Sequence, residues 1–280
     1  MYKTAQSFKD SISNRSKITG ISAEILFARY MMDRFLDRLS NSIYQQHFIF
    51  KGGLLISSLL GIENRTTMDI DTTVRNITFS KENINSIISD ILKIDVNDNI
   101  QMKIWKIENI MKTRDNPGFR IIIECSIEKA KFFIRIDVST GDCITPSEIE
   151  YTYETFIENK KLNLKTYPIE TILSEKVQTI LSRGKNNTRM RDFYDIHLLV
   201  ETQKYNEKIF KQALINTCTN RNSLHILNEP FTYLKELEND DTLLSLWVKY
   251  QNTFSYAKTV KWECIFKSIN KLIKVLEEYS

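Results

Sequence analysis

The chain is sparing with the residues that punctuate or staple a fold: seven glycines, four prolines, four cysteines and three histidines in 280 residues. Cys125, Cys143, Cys218 and Cys264 stand singly, with no Cys-x-x-Cys spacing. That argues against a structural zinc site and for a reducing compartment. His47 and His225 have no partners at metal-ligand spacing, and His197 sits among apolar residues as a core histidine would. No run approaches the roughly 18 apolar residues of a membrane span. The opening Met-Tyr-Lys-Thr-Ala-Gln-Ser lacks the apolar core of a signal peptide, so no membrane association and cytoplasmic residence are expected. Neither sign of charge dominates. The 39 basic and 35 acidic residues leave a net +4, which permits a nucleic-acid partner without demanding one. With 42% hydrophobic and 26% charged residues, the composition is that of a globular chain long enough for one large domain or two ordinary ones.

Against that scarcity, two of the glycines stand together. Phe48–Phe50 reads as a strand running into Gly52-Gly53, and an apolar helix follows. Paired glycines let backbone N–H groups approach a phosphate with no Cβ in the way, and the N-terminus of the next helix would face the same anion. The chain then returns as a second strand, Met68 to Val74. Alternation puts Asp69, Asp71 and Thr73 on one face and Met68, Ile70 and Val74 on the other. Two carboxylates two residues apart can hold a divalent cation between them, and hard oxygen ligands suit a Mg²⁺ that also binds substrate phosphates. Each feature alone has an ordinary reading, as a turn and as the wet face of a half-exposed strand. Together they point to phosphoryl or nucleotidyl transfer.

Around this stretch, Ile21, Ile25, Ala28, Met32, Phe35 and Leu39 recur at helical spacing, as structural packing against the sheet. Residues near Ala5–Ile12 form a short helix, and Ser80 caps another amphipathic helix running to Leu92. Strands are expected over Gln101–Ile110, Phe119–Ile127 and Lys131–Val138, the last two joined as a hairpin. In the last strand Phe133, Arg135 and Asp137 share a face. If it neighbours Met68–Val74, Asp137 joins the carboxylate pair. Otherwise it is a strand-end Asp facing water, with Arg135 as a surface partner.

From Tyr167 onward the pattern is helical, and a boundary is placed there: a core over residues 1–165 and a helical domain over 166–280. Pro168 opens a helix that ends before Gly184. Lys176 falls within its apolar stripe, where it must snorkel out or meet an anion. In the next helix, Thr188–Thr202, the narrow polar stripe holds Arg191, Asp192 and Asp195. Arg191 and Asp195 are spaced for a surface pair, or Asp195 orients Lys176 or a substrate group. Arg183, Lys185, Arg189 and Arg191 form a basic cluster, read as a solvated loop or as a hold on a nucleic-acid backbone. Phe231, Tyr233, Trp247, Tyr250, Phe254, Trp262 and Phe266 read as packing between later helices.

Lys51-Gly52-Gly53 followed by Arg65-x-Thr67-x-Asp69-Ile70-Asp71 resembles the first motif of the AbiEii-type nucleotidyltransferase toxins, the toxin half of type IV systems, a family that includes the MenT toxins. The resemblance continues at Arg135-Ile136-Asp137-Val138, at Ser174-Glu175-Lys176 with Arg183, and at Arg191-Asp192-Phe193-Tyr194-Asp195, in the family's order. Thr67 stands where serine is common, which keeps the hydroxyl. The resemblance implies an α+β fold, a polymerase-β-like nucleotidyltransferase core with a mixed or antiparallel sheet, followed by an all-helical domain contributing Lys176 and Asp195 to the site. It implies Lys51, Gly52, Gly53, Arg65, Thr67 and Lys176 around the NTP, and Asp69 and Asp71 on Mg²⁺. Asp137 would be base or third ligand, and Asp195 would position Lys176 or the acceptor. It implies transfer of a nucleotide to RNA, the tRNA 3′ end in some members, blocking translation, with a cognate antitoxin that need not form a stable complex. The same chemistry on a protein or small-molecule hydroxyl, and a non-catalytic binding module, are the alternatives.

Overall fold

The computed structural model describes residues 2, 4–111 and 117–279. They divide into two compact units, Met1–Asp142 with Ile149–Thr166, and Cys143–Glu148 with Tyr167–Ser280.

The first unit runs α1 (Ala5–Thr19), α2 (Ala23–Ser40), β1 (Phe48–Lys51), α3 (Gly52–Leu60), β2 (Asp69–Val74), α4 (Lys81–Leu92), β3 (Gln101–Met111), β4 (Pro117–Ile127), β5 (Ala130–Ser139), β6 (Ile149–Glu154) and β7 (Lys161–Thr166). The strands make one mixed sheet in the order β3-β4-β5-β2-β1-β7-β6. β2 is antiparallel to β1 and parallel to β5, and β1 is parallel to β7. Period-two alternation sends Ile70, Ile134, Ile136 and Val138 to a fully buried face. There they join Met32, Phe35 and Leu39 of α2 and Ile84, Ile88 and Ile91 of α4 in one core. Ser80 caps α4, its hydroxyl accepting from the Asn83 N–H. The opposite face of β2 and β5 is left to the carboxylates. The sequence pattern placed β3, β4 and β5 but assigned no strand to β6 or β7.

Helix α2 departs from a simple amphipathic helix. Arg29, Asp33, Arg34, Asp37 and Arg38 are all buried. Buried charges persist only when paired, and the partners come from distant segments. Arg38 forks onto Asp98 at 2.6 and 2.8 Å. Lys160 reaches Asp37, Arg34 meets Glu158 at 2.8 Å, and Tyr153 and the Phe156 N–H donate to Asp33. This network fastens the β6–β7 hairpin to α2.

The second unit runs α5 (Ile169–Arg183), α6 (Met190–Thr202), α7 (Glu207–Asn220), α8 (Pro230–Glu238), α9 (Asp241–Thr253) and α10 (Trp262–Ile273). Phe193, Tyr194, Trp247, Trp262 and Phe266 are buried and in ring contact with one another. Tyr233, expected in that packing, is instead 47% exposed. The strap Cys143–Glu148 is fixed to α5 through Thr145, whose N–H and carbonyl both bond the Thr171 hydroxyl. Among the described residues, no helix is long and apolar enough to cross a membrane.

Candidate active site

The glycine turn and the carboxylate strand lie side by side. In the antiparallel register Lys51 stands opposite Asp71, so α3 starts where Asp71 ends its reach. Gly52 has a φ of +64°, and a Cβ there would lie 2.2 Å from Asp71 Oδ2. Such a contact is impossible, and the backbone is one that L side chains avoid. A Cβ on Gly53 would lie 2.6 Å from the Thr67 hydroxyl. The Gly53 N–H points to Asp71 Oδ2 at 3.4 Å. Helix α3 has no side-chain cap from Lys51, so its first N–H groups are not occupied by that residue's side chain. Thr67 packs under the turn, its hydroxyl 3.5 Å from the Asp69 N–H, and Arg65 is buried with a hydrogen bond to the Thr66 carbonyl.

Parallel pairing of β2 with β5 puts Asp71 directly beside Asp137, and Asp69 beside Arg135. The three carboxylates thus share one sheet face. Asp69 Oδ1 is shielded from solvent and accepts no hydrogen bond; its nearest cation is Arg135 Nη1 at 3.7 Å. Burial pushes the Asp69 carboxyl above its ordinary range, and the charge of Asp71 pushes it further. An unbonded, charge-crowded oxygen beside a second carboxylate is a donor set that suits a hard divalent cation. Asp137 is arranged differently. Arg120, on β4, grips it with Nε and Nη2, each 2.9 Å from a separate carboxylate oxygen. Arg135 therefore is not its partner. Among the described residues no three His, Cys, Asp or Glu side chains converge as a ready metal cluster.

Lys51 is itself buried and paired with Asp142. Burial alone would raise the Asp142 carboxyl, but the Lys51 ammonium and the Ser139 hydroxyl outweigh it and hold the carboxyl below its ordinary value. Position 51 thus braces the loop after β5 against the strand that leads into the glycine turn.

In the helical unit Lys176 meets anions and does not snorkel. Its ammonium lies 2.6 Å from Asp192 and 2.8 Å from Asp195. Asp195 is fully buried, and it faces Lys176 rather than forming a surface pair with Arg191. Arg191 lies over the Phe254 ring, 5.2 Å from its centroid. Arg189 completes the group with an ion pair to Asp192 at 2.7 Å. Arg120, Asp142 and Asp192 are the residues to which sequence reasoning gave no role. Asp192 was visible on the polar stripe of α6; the other two needed strand register and a loop path.

The chain is a nucleotidyltransferase, a class that the family match establishes. The family model described as nucleotidyl transferase AbiEii toxin, type IV TA system, matches residues 34–267, and the chain belongs to that family. Among solved structures it is similar to JHP933 from Helicobacter pylori, with a TM-score of 0.54 and 16% identity, covering 92% of this chain and 94% of that one. A second solved structure from H. pylori, described provisionally as that of a nucleotidyltransferase, gives a TM-score of 0.53 at 16% identity, covering 92% and 96% of the two chains. At that identity both are likenesses of fold. No curated protein matches the sequence.

Proposed function

We propose that this toxin transfers a nucleotidyl group from an NTP to a hydroxyl of RNA, the 3′ end of tRNA, and so blocks translation in the cytoplasm. The observation that carries the reading is the fit of Gly52 against Asp71: a turn that admits no side chain lies against the carboxylate pair. On this reading the amides at the start of α3 bind the triphosphate, and Arg65 and Thr67 hold the turn that presents them. Asp69 and Asp71 would hold Mg²⁺, which when bound polarises the α-phosphate and favours ionisation of the attacking hydroxyl. Asp137 takes the hydroxyl proton as the new O–P bond forms and pyrophosphate leaves. Its carboxylate oxygens keep further lone pairs beyond those given to Arg120, so the guanidinium orients Asp137 without consuming it. Lys51 steadies the strand before the turn. Lys176, set in place by Asp192 and Asp195, is assigned the neutralisation of phosphate charge. A cognate antitoxin is expected without a need for a stable complex.

The test is incubation of the purified protein with total tRNA, Mg²⁺ and each labelled NTP in turn, with Asp69→Ala/Asp71→Ala in parallel. Label on tRNA from the parent chain alone supports the reading. Label on protein or on a small molecule instead transfers the chemistry to another acceptor. No NTP turnover by folded protein points to a binding module.

A further inference from the structure

Trp105 and Phe133 are large apolar side chains left in water, 59% and 49% exposed. They belong to one feature: their rings meet edge to face with centroids 5.8 Å apart. Phe133 stands on the face of β5 that carries Arg135 and Asp137, four residues before Asp137 and thus about 13 Å along the strand. Trp105 sits where the β3–β4 register slips between Ile104 and Lys106. A bulge of this kind re-aims a side chain, and here the ring is in contact with Phe133. The carboxylates, Arg135 and the two rings therefore occupy one continuous sheet surface within the first unit.

The surroundings of the rings are cationic. Lys103 and Lys131 both reach the buried carboxylate of Glu124, so two ammonium groups share one anion and a positive charge is left over. Both lysines are more than half exposed, as are Lys106, which pairs with Glu108, and Arg135, 3.7 Å from Asp69. The surplus charge beside the rings is therefore that of Lys103 and Lys131 against the single Glu124. Exposed rings bordered by lysine and arginine on an open sheet match the chemistry of single-stranded nucleic acid, in which bases stack on the rings and phosphates meet the cations. A protein partner would be served by the rings but not by surplus positive charge beside a nucleotidyl-transfer site.

We propose that this face of β3, β4 and β5 is the platform for the single-stranded end of the acceptor, with Trp105 and Phe133 stacking its bases and Lys103, Lys106 and Arg135 following its backbone toward Asp69 and Asp71. The proposal rests on the RNA-acceptor reading and gives that acceptor its binding surface.

The experiment measures anisotropy of a short fluorescein-labelled single-stranded RNA on the full chain, alongside binding of labelled NTP and labelling of total tRNA. Trp105→Ala/Phe133→Ala should weaken RNA binding at least about tenfold, as expected for lost base stacking, and leave NTP binding and thermal midpoint unchanged. Trp105→Phe should stay within about threefold, because a ring is retained. Lys103→Ala and Lys106→Ala should each flatten the dependence of log affinity on log salt by about 0.7, the value for one single-strand phosphate contact. Parent protein that labels tRNA while the double alanine variant keeps full RNA affinity overturns the platform and leaves the RNA reading standing. Parent protein that labels only protein or a small molecule overturns both. Loss of a protein partner in the double variant, with RNA affinity intact, reassigns the face and overturns the platform.

Discussion

Arg120 and Asp137 face each other across β4 and β5 in a two-pronged pair, each carboxylate oxygen receiving one guanidinium N–H at 2.9 Å. Planar forks of this kind fix orientation as well as charge. Arg120→Ala leaves a buried carboxylate without its donor and is expected to cost about 2 kcal/mol of stability, read as a lower denaturant midpoint. Arg120→Lys keeps the charge without the fork and should restore only part of that. Asp137→Asn should lower transfer by about 10²–10⁴, the range for a lost general base, while NTP binding persists.

Gly52→Ala tests the turn. The left-handed backbone costs an alanine roughly 1–2 kcal/mol, and the methyl would also displace the Asp71 carboxylate. Loss of NTP binding, by filter retention, is the expected outcome. Retained binding and turnover would remove the glycine–carboxylate fit from its place in the mechanism.

The ammonium of Lys176 is the subject of a double-mutant cycle. Lys176→Met removes the ammonium 2.8 Å from the fully buried Asp195 and should cost about 3–5 kcal/mol, as for other broken buried pairs. Lys176→Met/Asp195→Asn should lose less than the sum of the two single changes. Denaturant unfolding of the four proteins measures the coupling; additivity would show that the two residues act independently.

Asp69 sets the pH dependence. Its folded carboxyl is raised, chiefly by burial and then by Asp71. The native state therefore holds that proton more tightly than the unfolded chain. This residue's contribution to stability is greatest when it is protonated and falls as pH rises from the ordinary carboxylate range through the raised value. Asp69→Asn should accordingly have a higher thermal midpoint than the parent at neutral pH in chelator, and should have lost divalent-cation binding. In the parent, cation affinity should begin to fall above the usual carboxylate range as pH is lowered, since the proton competes for the same oxygens.

Much of this site could be read in advance because strand alternation is a local rule. Asp69 and Asp71 had to share a face, Asp137 had to lie on the face of Phe133 and Arg135, and the parallel register then set Asp71 beside Asp137. Arg120 could not be found that way: its pairing depends on the register of a hairpin, which no single strand specifies. The buried charges of α2 were missed for a related reason. Helical periodicity reports where apolar residues lie, and it is silent on whether Asp33 or Asp37 will be met by Tyr153 or Lys160 more than 100 residues later. Lys176 stood out by breaking its apolar stripe, and the break marked an interior ion group. Tyr233 was taken for core because an aromatic at helical spacing usually is; it lies on the surface, its hydroxyl near Gly184.

The strap Cys143–Glu148 makes the chain leave the sheet unit, bind α5 through Thr145, and return for β6 and β7. The two units are therefore not modules that can be exchanged at one junction. A recombination at Thr166 would give the recipient a helical unit without its strap and leave the donor strap with no α5 to hold. Viable chimaeras between relatives must carry residues 143–148 and 167–280 together, and the stretch in between has to come from the sheet unit's own parent.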